Sequence, residues 1–252
     1  MERSFRHFSK RGTNILKDLF MTTFNNNQIE DILSLVEQNL EFLHVGMFLN
    51  YYVKKNNLSS EVEPIEYNFD SGKTYTLTGN LAKDALFAYF NQNKPTVFGY
   101  LIMWNSCRGI SMAMYEGLKN DSPFKDFIKR KLDNRYDHYH AILCFIRHQL
   151  SHNINNEIRL RKDDYEPLRK KFLTKHPSGI ATFSIRYADT FPELNVPNNN
   201  YEYKMEIDFK SLSPEKPFIE VISELDLFMF GELCFHFVAA FRKESVRSFR
   251  SS

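Results

Sequence analysis

The chain has no uninterrupted apolar run of the roughly 18–20 residues that a membrane-spanning helix needs. Its two most apolar stretches are broken by polar side chains: Asn105 and Arg108 within 97–114, and Asp226, Glu232 and His236 within 225–241. Both read as buried helices, and no membrane partner is expected. Glycine and proline are scarce, at nine each in 252 residues, which disfavours a disordered chain and the turn-dense all-β folds. Cysteine is scarcer still. Cys107, Cys144 and Cys234 are far apart, odd in number and set in apolar sequence. They read as reduced core thiols of a cytoplasmic protein rather than a disulfide framework. An excess of either charge is lacking too: 33 basic against 31 acidic residues leave a net +2. With no global field, any nucleic-acid binding must come from a local patch. Residues 1–24 are basic and amphipathic but hold no apolar block of a secretory signal. They read as a surface arm or helix, with a mitochondrial presequence as the alternative.

Aromatic residues are plentiful, 24 Phe and 13 Tyr, enough bulk for a substantial core. Helical periodicity dominates. Ile29, Ile32, Leu33, Val36, Leu40, Leu43 and Met47 recur at three- and four-residue steps, the stripe of an amphipathic helix. Further helices are expected from Leu81 to about Asn91, from Pro95 to Leu118, and from Ser122-Pro123 to His152 with a break near Asp133-Asn134. Another short helix is expected in the charged stretch 157–176 that follows His152, and a last one from Phe218 to about Lys243. "IEYNFDSGKTYTLTG" reads as a hairpin turning near Asp70-Ser71-Gly72. "SGIATFSIRYADT" and "NYEYKMEIDFKSL" alternate apolar and polar residues and read as two strands. The joining "FPELNVPNNN" is too polar for the core. The fold class expected is mainly α: one helical domain over 25–245, with a small β-hairpin insertion at about 180–210, and a tail at 246–252.

The stretch "CFIRHQLSHNINNE" (144–157) is the sharpest chemical signal. An almost wholly apolar helical run ends abruptly in Arg147, His148, His152 and three asparagines. Arg147 and His152 are separated by roughly 140° on an ideal helix and do not share a face. A helix ending near His152, where Asn tolerates the left-handed conformation, lets both groups look into one cleft at its tip. Arg supplies a permanent positive fork for a phosphate. An imidazole suits general acid–base work. Together they suffice for RNA cleavage without a metal or cofactor. The competing reading is a solvated helix end. His148 and His152 are also four apart, a zinc-compatible spacing. Gln149 stands where the zinc-protease motif needs Glu, and no third ligand is evident, so no metal is expected. "DSGKT" mimics the end of a phosphate-binding loop, but Tyr67 occupies the place of that loop's first glycine.

"IRHQLSHN" resembles the R-x-x-x-x-H signature of HEPN domains, with Arg147, His148 and His152 matching the arginine, its polar follower and the histidine. The resemblance implies an all-α bundle of HEPN type that forms a homodimer, bringing two motif copies into one site. It further implies a metal-independent endoribonuclease of toxin–antitoxin, abortive-infection or antiviral systems, with RNA as substrate and a cognate antitoxin as a possible partner. Arg147 and His152 would be catalytic, while His148 and Asn153 would orient the substrate. One toxin subgroup carries a tyrosine two residues after the histidine; Ile154 stands here, so its regulation by modification does not transfer. Other members of the family are non-catalytic, and a helical module binding nucleotide, RNA or a partner protein is the alternative reading.

Basic residues leave the motif directly. Arg159, Arg161, Lys162, Lys170 and Lys171 are candidates to grip RNA phosphates, although they alternate with Asp163, Asp164 and Glu166 as a solvated helix face would. A second cluster lies upstream: Lys125, Lys129, Arg130, Lys131 and Arg135. Tyr136, Tyr139 and Tyr165 are candidates either for base stacking or for packing.

Overall fold

The structure, a computed structural model, describes residues 29–46, 65–68, 72–77, 97–119, 122–152, 158–194 and 202–250. The arm expected over 1–24, the helix expected at 81–91 and Asn153 lie outside them. In chain order the elements are helix α1 (29–46), strands β1 (Ile65–Asn68) and β2 (Thr74–Leu77), and helices α2 (Val97–Lys119) and α3 (Pro123–Leu132). A 3-10 turn (Asp133–Arg135) leads to α4 (Tyr136–His152) and then α5 (Lys162–Lys175). Strand β3 (Ile180–Arg186), a single helical turn α6 (Tyr187–Thr190), strand β4 (Glu202–Asp208) and helix α7 (Glu224–Arg250) complete the order. The chain is mainly helical, with two separate two-stranded antiparallel sheets among the described residues. They belong to two compact units, one built from segments 1–40 and 107–252 and the other from 41–106.

In the 41–106 unit, β1 and β2 pair in register from Ile65↔Leu77 to Asn68↔Thr74. The Thr74 hydroxyl donates to Asn68 Oδ1 at 2.8 Å. Gly72 supplies a φ of 73° in the turn, a conformation that suits a residue without Cβ. The hairpin reading of "DSGKT" therefore holds.

The larger unit contains the motif. Ser122 starts α3 as its position predicts, its side-chain oxygen accepting the Lys125 N–H at 3.1 Å with Pro123 in the first turn. The helix stops at Asp133, whose φ of 48° breaks the path before α4 begins. Phe124 and Phe127 of α3 meet Phe241 of α7 edge-on at 5.3 and 5.4 Å. Tyr139 of α4, wholly buried, packs on Phe183 of β3 at 5.3 Å and on Phe237 of α7 at 5.6 Å. Its hydroxyl lies 3.8 Å from Cys234 Sγ, so it is a core residue and not a stacking platform. Tyr165 is buried as well. All three cysteines are free and buried.

The expected β insertion is present. β3 and β4 pair from Ile180↔Asp208 to Arg186↔Glu202. Ala181, Phe183 and Ile185 on one strand, and Tyr203, Met205 and Ile207 on the other, turn inward, the period-two pattern of a half-buried hairpin. Its outer edge is capped by side chains at the start of α4. His138 Nδ1 accepts the Thr182 N–H at 3.1 Å, and Arg135 donates to the Ser184 carbonyl at 3.0 Å. Two expectations need correction. Phe191 in the inter-strand segment is buried, because it packs on Phe237 at 5.1 Å. The last helix does not begin at Phe218. Residues 218–220 form a 3-10 turn, and α7 starts at Glu224. There Ser223 Oγ accepts the Asp226 N–H while Asp226 accepts from Ser223, a reciprocal cap that Pro217 does not provide.

The acceptor role of His138 requires a neutral ring. Burial, and next the His176 ring 4.5 Å away, push its pKa down. His140 and His148 are also pushed down, burial being the largest cause in each. The unfolded chain therefore binds more protons than the native one as pH falls below about 6.5, the ordinary imidazole value, and stability falls with it. Denaturant midpoints should drop through the mildly acidic range, and by less in a His138→Gln variant. A midpoint independent of pH there would contradict the assignment of neutral rings.

Candidate functional site

The motif sits on the last two turns of α4. Six consecutive residues before it, Ala141 to Ile146, are all buried, after a first turn in which Asp137 is exposed and Tyr136, His138 and His140 are half-buried. From Arg147 the helix emerges by degrees. Arg147 and His148 are half-buried, Gln149 and Leu150 are buried, and His152, the last residue of α4, is exposed.

A helix leaves its last carbonyls without intrahelical partners. One of them, the Leu150 carbonyl, accepts from Arg108 Nε of α2 at 2.6 Å. A cation at a helix C-terminus also meets the favourable end of the helix dipole. This contact fixes the end of α4 against α2 and so sets where His152 emerges. In the sequence Arg108 appears only as a charge interrupting an apolar stretch; its partner is 42 residues away.

Arg147 and His152 face different neighbours. The Arg147 guanidinium lies 4.8 Å from the centre of the Tyr115 ring on α2, in cation–π geometry. Its Nε is buried without a hydrogen-bond partner, and no carboxylate forms an ion pair with it among the described residues. His152 turns instead to α5, where its Nδ1 is 3.6 Å from Asp164 Oδ1. The His148 and His152 rings are 6.3 Å apart and roughly perpendicular. His148 is held towards its neutral form by burial first and then by the Arg147 charge, and its Nδ1 has no hydrogen-bond partner.

Asp164 is the residue that the sequence reading missed. Its side chain is only 9% exposed, against 53% for His152, and it stands in the first turn of α5, where the helix dipole favours a carboxylate. The only sequence signal was an acidic pair, Asp163-Asp164, between basic residues at a helix start. A carboxylate facing Nδ1 orients the imidazole and leaves Nε2, on the opposite side of the ring, for proton transfer. Catalytic histidines are commonly positioned in this way.

The basic candidates separate in space. Arg159 donates to the Glu215 carbonyl at 3.0 Å, beside the bridge that pairs it with Pro217. Arg161 stands just before α5 without a side-chain capping bond, and Lys162 is exposed in the helix's first turn. Lys170 shares Glu166 at 4.0 Å. In the upstream cluster, Arg130 pairs with Glu244 and Lys131 with Glu193, while Arg135 is bound to backbone carbonyls. Lys125, Lys129 and Lys171 line one cavity near the start of α4.

Among the described residues, no three of His, Cys, Asp and Glu gather as a metal site. No described helix is long and apolar enough to cross a membrane. No family model, curated protein or solved structure matches the chain.

Replacing Arg108 with Met keeps the bulk of the side chain and strips the Leu150 carbonyl of its charged donor. The expected loss is about 1.5–3 kcal/mol in denaturant unfolding, with faster amide exchange confined to the last turn of α4. Unchanged exchange at that turn would show that the contact does not hold the helix end.

Proposed function

We propose that the chain is a HEPN-like, metal-independent endoribonuclease whose site is completed in a homodimer, acting in bacterial defence or toxin–antitoxin growth arrest. One observation carries the reading: an exposed imidazole, His152, is braced by the mostly buried Asp164 carboxylate at the tip of the helix that also holds Arg147.

In this reading His152 Nε2 removes the proton from an RNA 2′-hydroxyl. The 2′-oxygen forms a bond to the neighbouring phosphorus while the bond to the 5′-oxygen breaks. That oxygen leaves with the proton that the His152 imidazolium gives back, producing a 2′,3′-cyclic phosphate and a 5′-hydroxyl. Arg147 stabilises the charge that builds on the phosphorus oxygens. Because Arg147 and His152 face different neighbours in one chain, a two-fold partner is given the task of setting Arg147 of one protomer against His152 of the other. His148 and Asn153 would orient the strand.

A second reading takes its support from Arg147. Its guanidinium rests on Tyr115 rather than near His152, which suits a non-catalytic module that binds through the same helix end.

Incubation with total RNA in EDTA separates the two. His152→Ala should lose about 10²–10⁴-fold in cleavage rate and Arg147→Ala about 10²–10³-fold, with circular dichroism unchanged. Asp164→Asn should fall between these variants and wild type. A folded His152→Ala protein that still releases cyclic-phosphate ends at the wild-type rate would sink the catalytic reading.

A further inference from the structure

A cavity of about 460 Å³ opens beside the first half of α4, away from His152. Five lysines from three helices line it: Lys119 of α2, Lys125 and Lys129 of α3, and Lys171 and Lys175 of α5. The only carboxylate in its lining is Asp137, which lies 3.3 Å from Lys175. Lys119 shares Glu116 at 3.5 Å. Lys129 and Lys171 have no carboxylate partner among the described residues, and the Lys129 ammonium sits 5.7 Å from the centre of the Tyr136 ring. Ammonium groups repel one another, so Lys129 and Lys171, converging on a concave surface without carboxylate partners, form a place where an anion is favoured. The His140 ring registers that field: burial, and then Lys171, lower its pKa.

Aromatic rings complete the lining. Tyr136 stacks on His140 at 5.8 Å, and the Tyr115 ring lies 6.4 Å from the same imidazole. Flat rings beside lysines are the combination that holds a single nucleic-acid strand by stacking and charge. Tyr115 also ties the cavity to the motif, since its ring lines the one and carries the Arg147 guanidinium of the other. On α4 the residues Tyr136, His140, Cys144 and Arg147 follow at steps of four, four and three, one continuous face. The rise from His140 to Arg147 is about 10 Å, within reach of one short strand.

Resting on the ribonuclease reading, we propose that this cavity binds the phosphates of a single-stranded RNA that runs along α4 to Arg147. The lysines hold phosphates flanking the one to be cleaved, and Tyr115 and Tyr136 offer faces to its bases. The continuous face and the shared Tyr115 favour a strand over a free nucleotide, which would need no connection to Arg147.

The test is fluorescence anisotropy of the full chain with a labelled 2′-O-methyl uridine oligomer, which cannot be cleaved, across a salt series. The Lys129→Gln/Lys171→Gln double variant should bind at least tenfold more weakly at low salt. Its slope of log affinity against log salt should be shallower by about 1.4, the release expected for two single-strand phosphate contacts. A Lys204→Gln control on the exposed face of β4 should bind like wild type, and the 2′-O-methyl groups keep this result separate from cleavage. If wild type binds and the lysine variant does not, the cavity assignment stands even where no cleavage is seen. Wild-type affinity and slope in the double variant would overturn it. So would displacement of the oligomer from neither protein by excess unlabelled RNA but tight, lysine-dependent binding of ATP or inorganic phosphate.

Discussion

Enclosure of α4 is the constraint from which the rest of the larger unit follows. A helix with six successive buried residues has little solvent-exposed surface over that length, so neighbours must cover most of it, leaving only the cavity beside Ala141 and Cys144. Tyr139 meets β3 and α7 at its middle, and Phe145 meets Phe209 and Phe218 further on, at 5.9 Å each. Arg108 ties down its end from α2. Such a rod has little freedom to rotate or slide, because any movement would pull several large rings out of contact at once. The polar groups at its tip inherit that rigidity, which is the support a reactive constellation needs.

The same helix carries four imidazoles that its neighbours put to different uses. His138 accepts a strand N–H, His140 stands among lysines and tyrosines, His148 is half-buried beside Arg147, and His152 faces a carboxylate in the open. Spacing along the chain does not distinguish them. What does is whether a cation, an anion or an apolar surface lies opposite. Only His152 combines exposure with a carboxylate partner, and it is therefore the residue on which the proposed chemistry rests.

Local patterns made much of the architecture legible. Ser122-Pro123 announced a helix start, the alternation in 180–186 and 202–208 announced a hairpin, and the apolar run into Arg147 announced an enclosed helix that surfaces. These signals are written in neighbouring residues. The misses came from contacts between distant ones. Phe191 sits in polar sequence, yet a pocket on α7 receives it. The cap of α7 is set by Ser223 and Asp226, a more local device that the more conspicuous Pro217 obscured. Asp164 looked like one of several solvating charges until α5 folded back against the tip of α4. The lysines show the same limit from the other side. Ten basic residues in two sequence clusters looked equivalent, and only tertiary pairing decides that Arg130 and Lys131 are neutralised while Lys125, Lys129 and Lys171 face a common space.

The two side chains on the outer edge of β3 also bear on how the molecule behaves at high concentration. A two-stranded hairpin ends in an open row of amides and carbonyls, a template onto which a foreign strand can be added. Arg135 and His138 occupy that row at Ser184 and Thr182. They act as gatekeepers against sheet propagation. Because one of them is an imidazole that must stay uncharged to hold its place, protonation of that ring would open the very edge along which cross-chain β-assembly would begin.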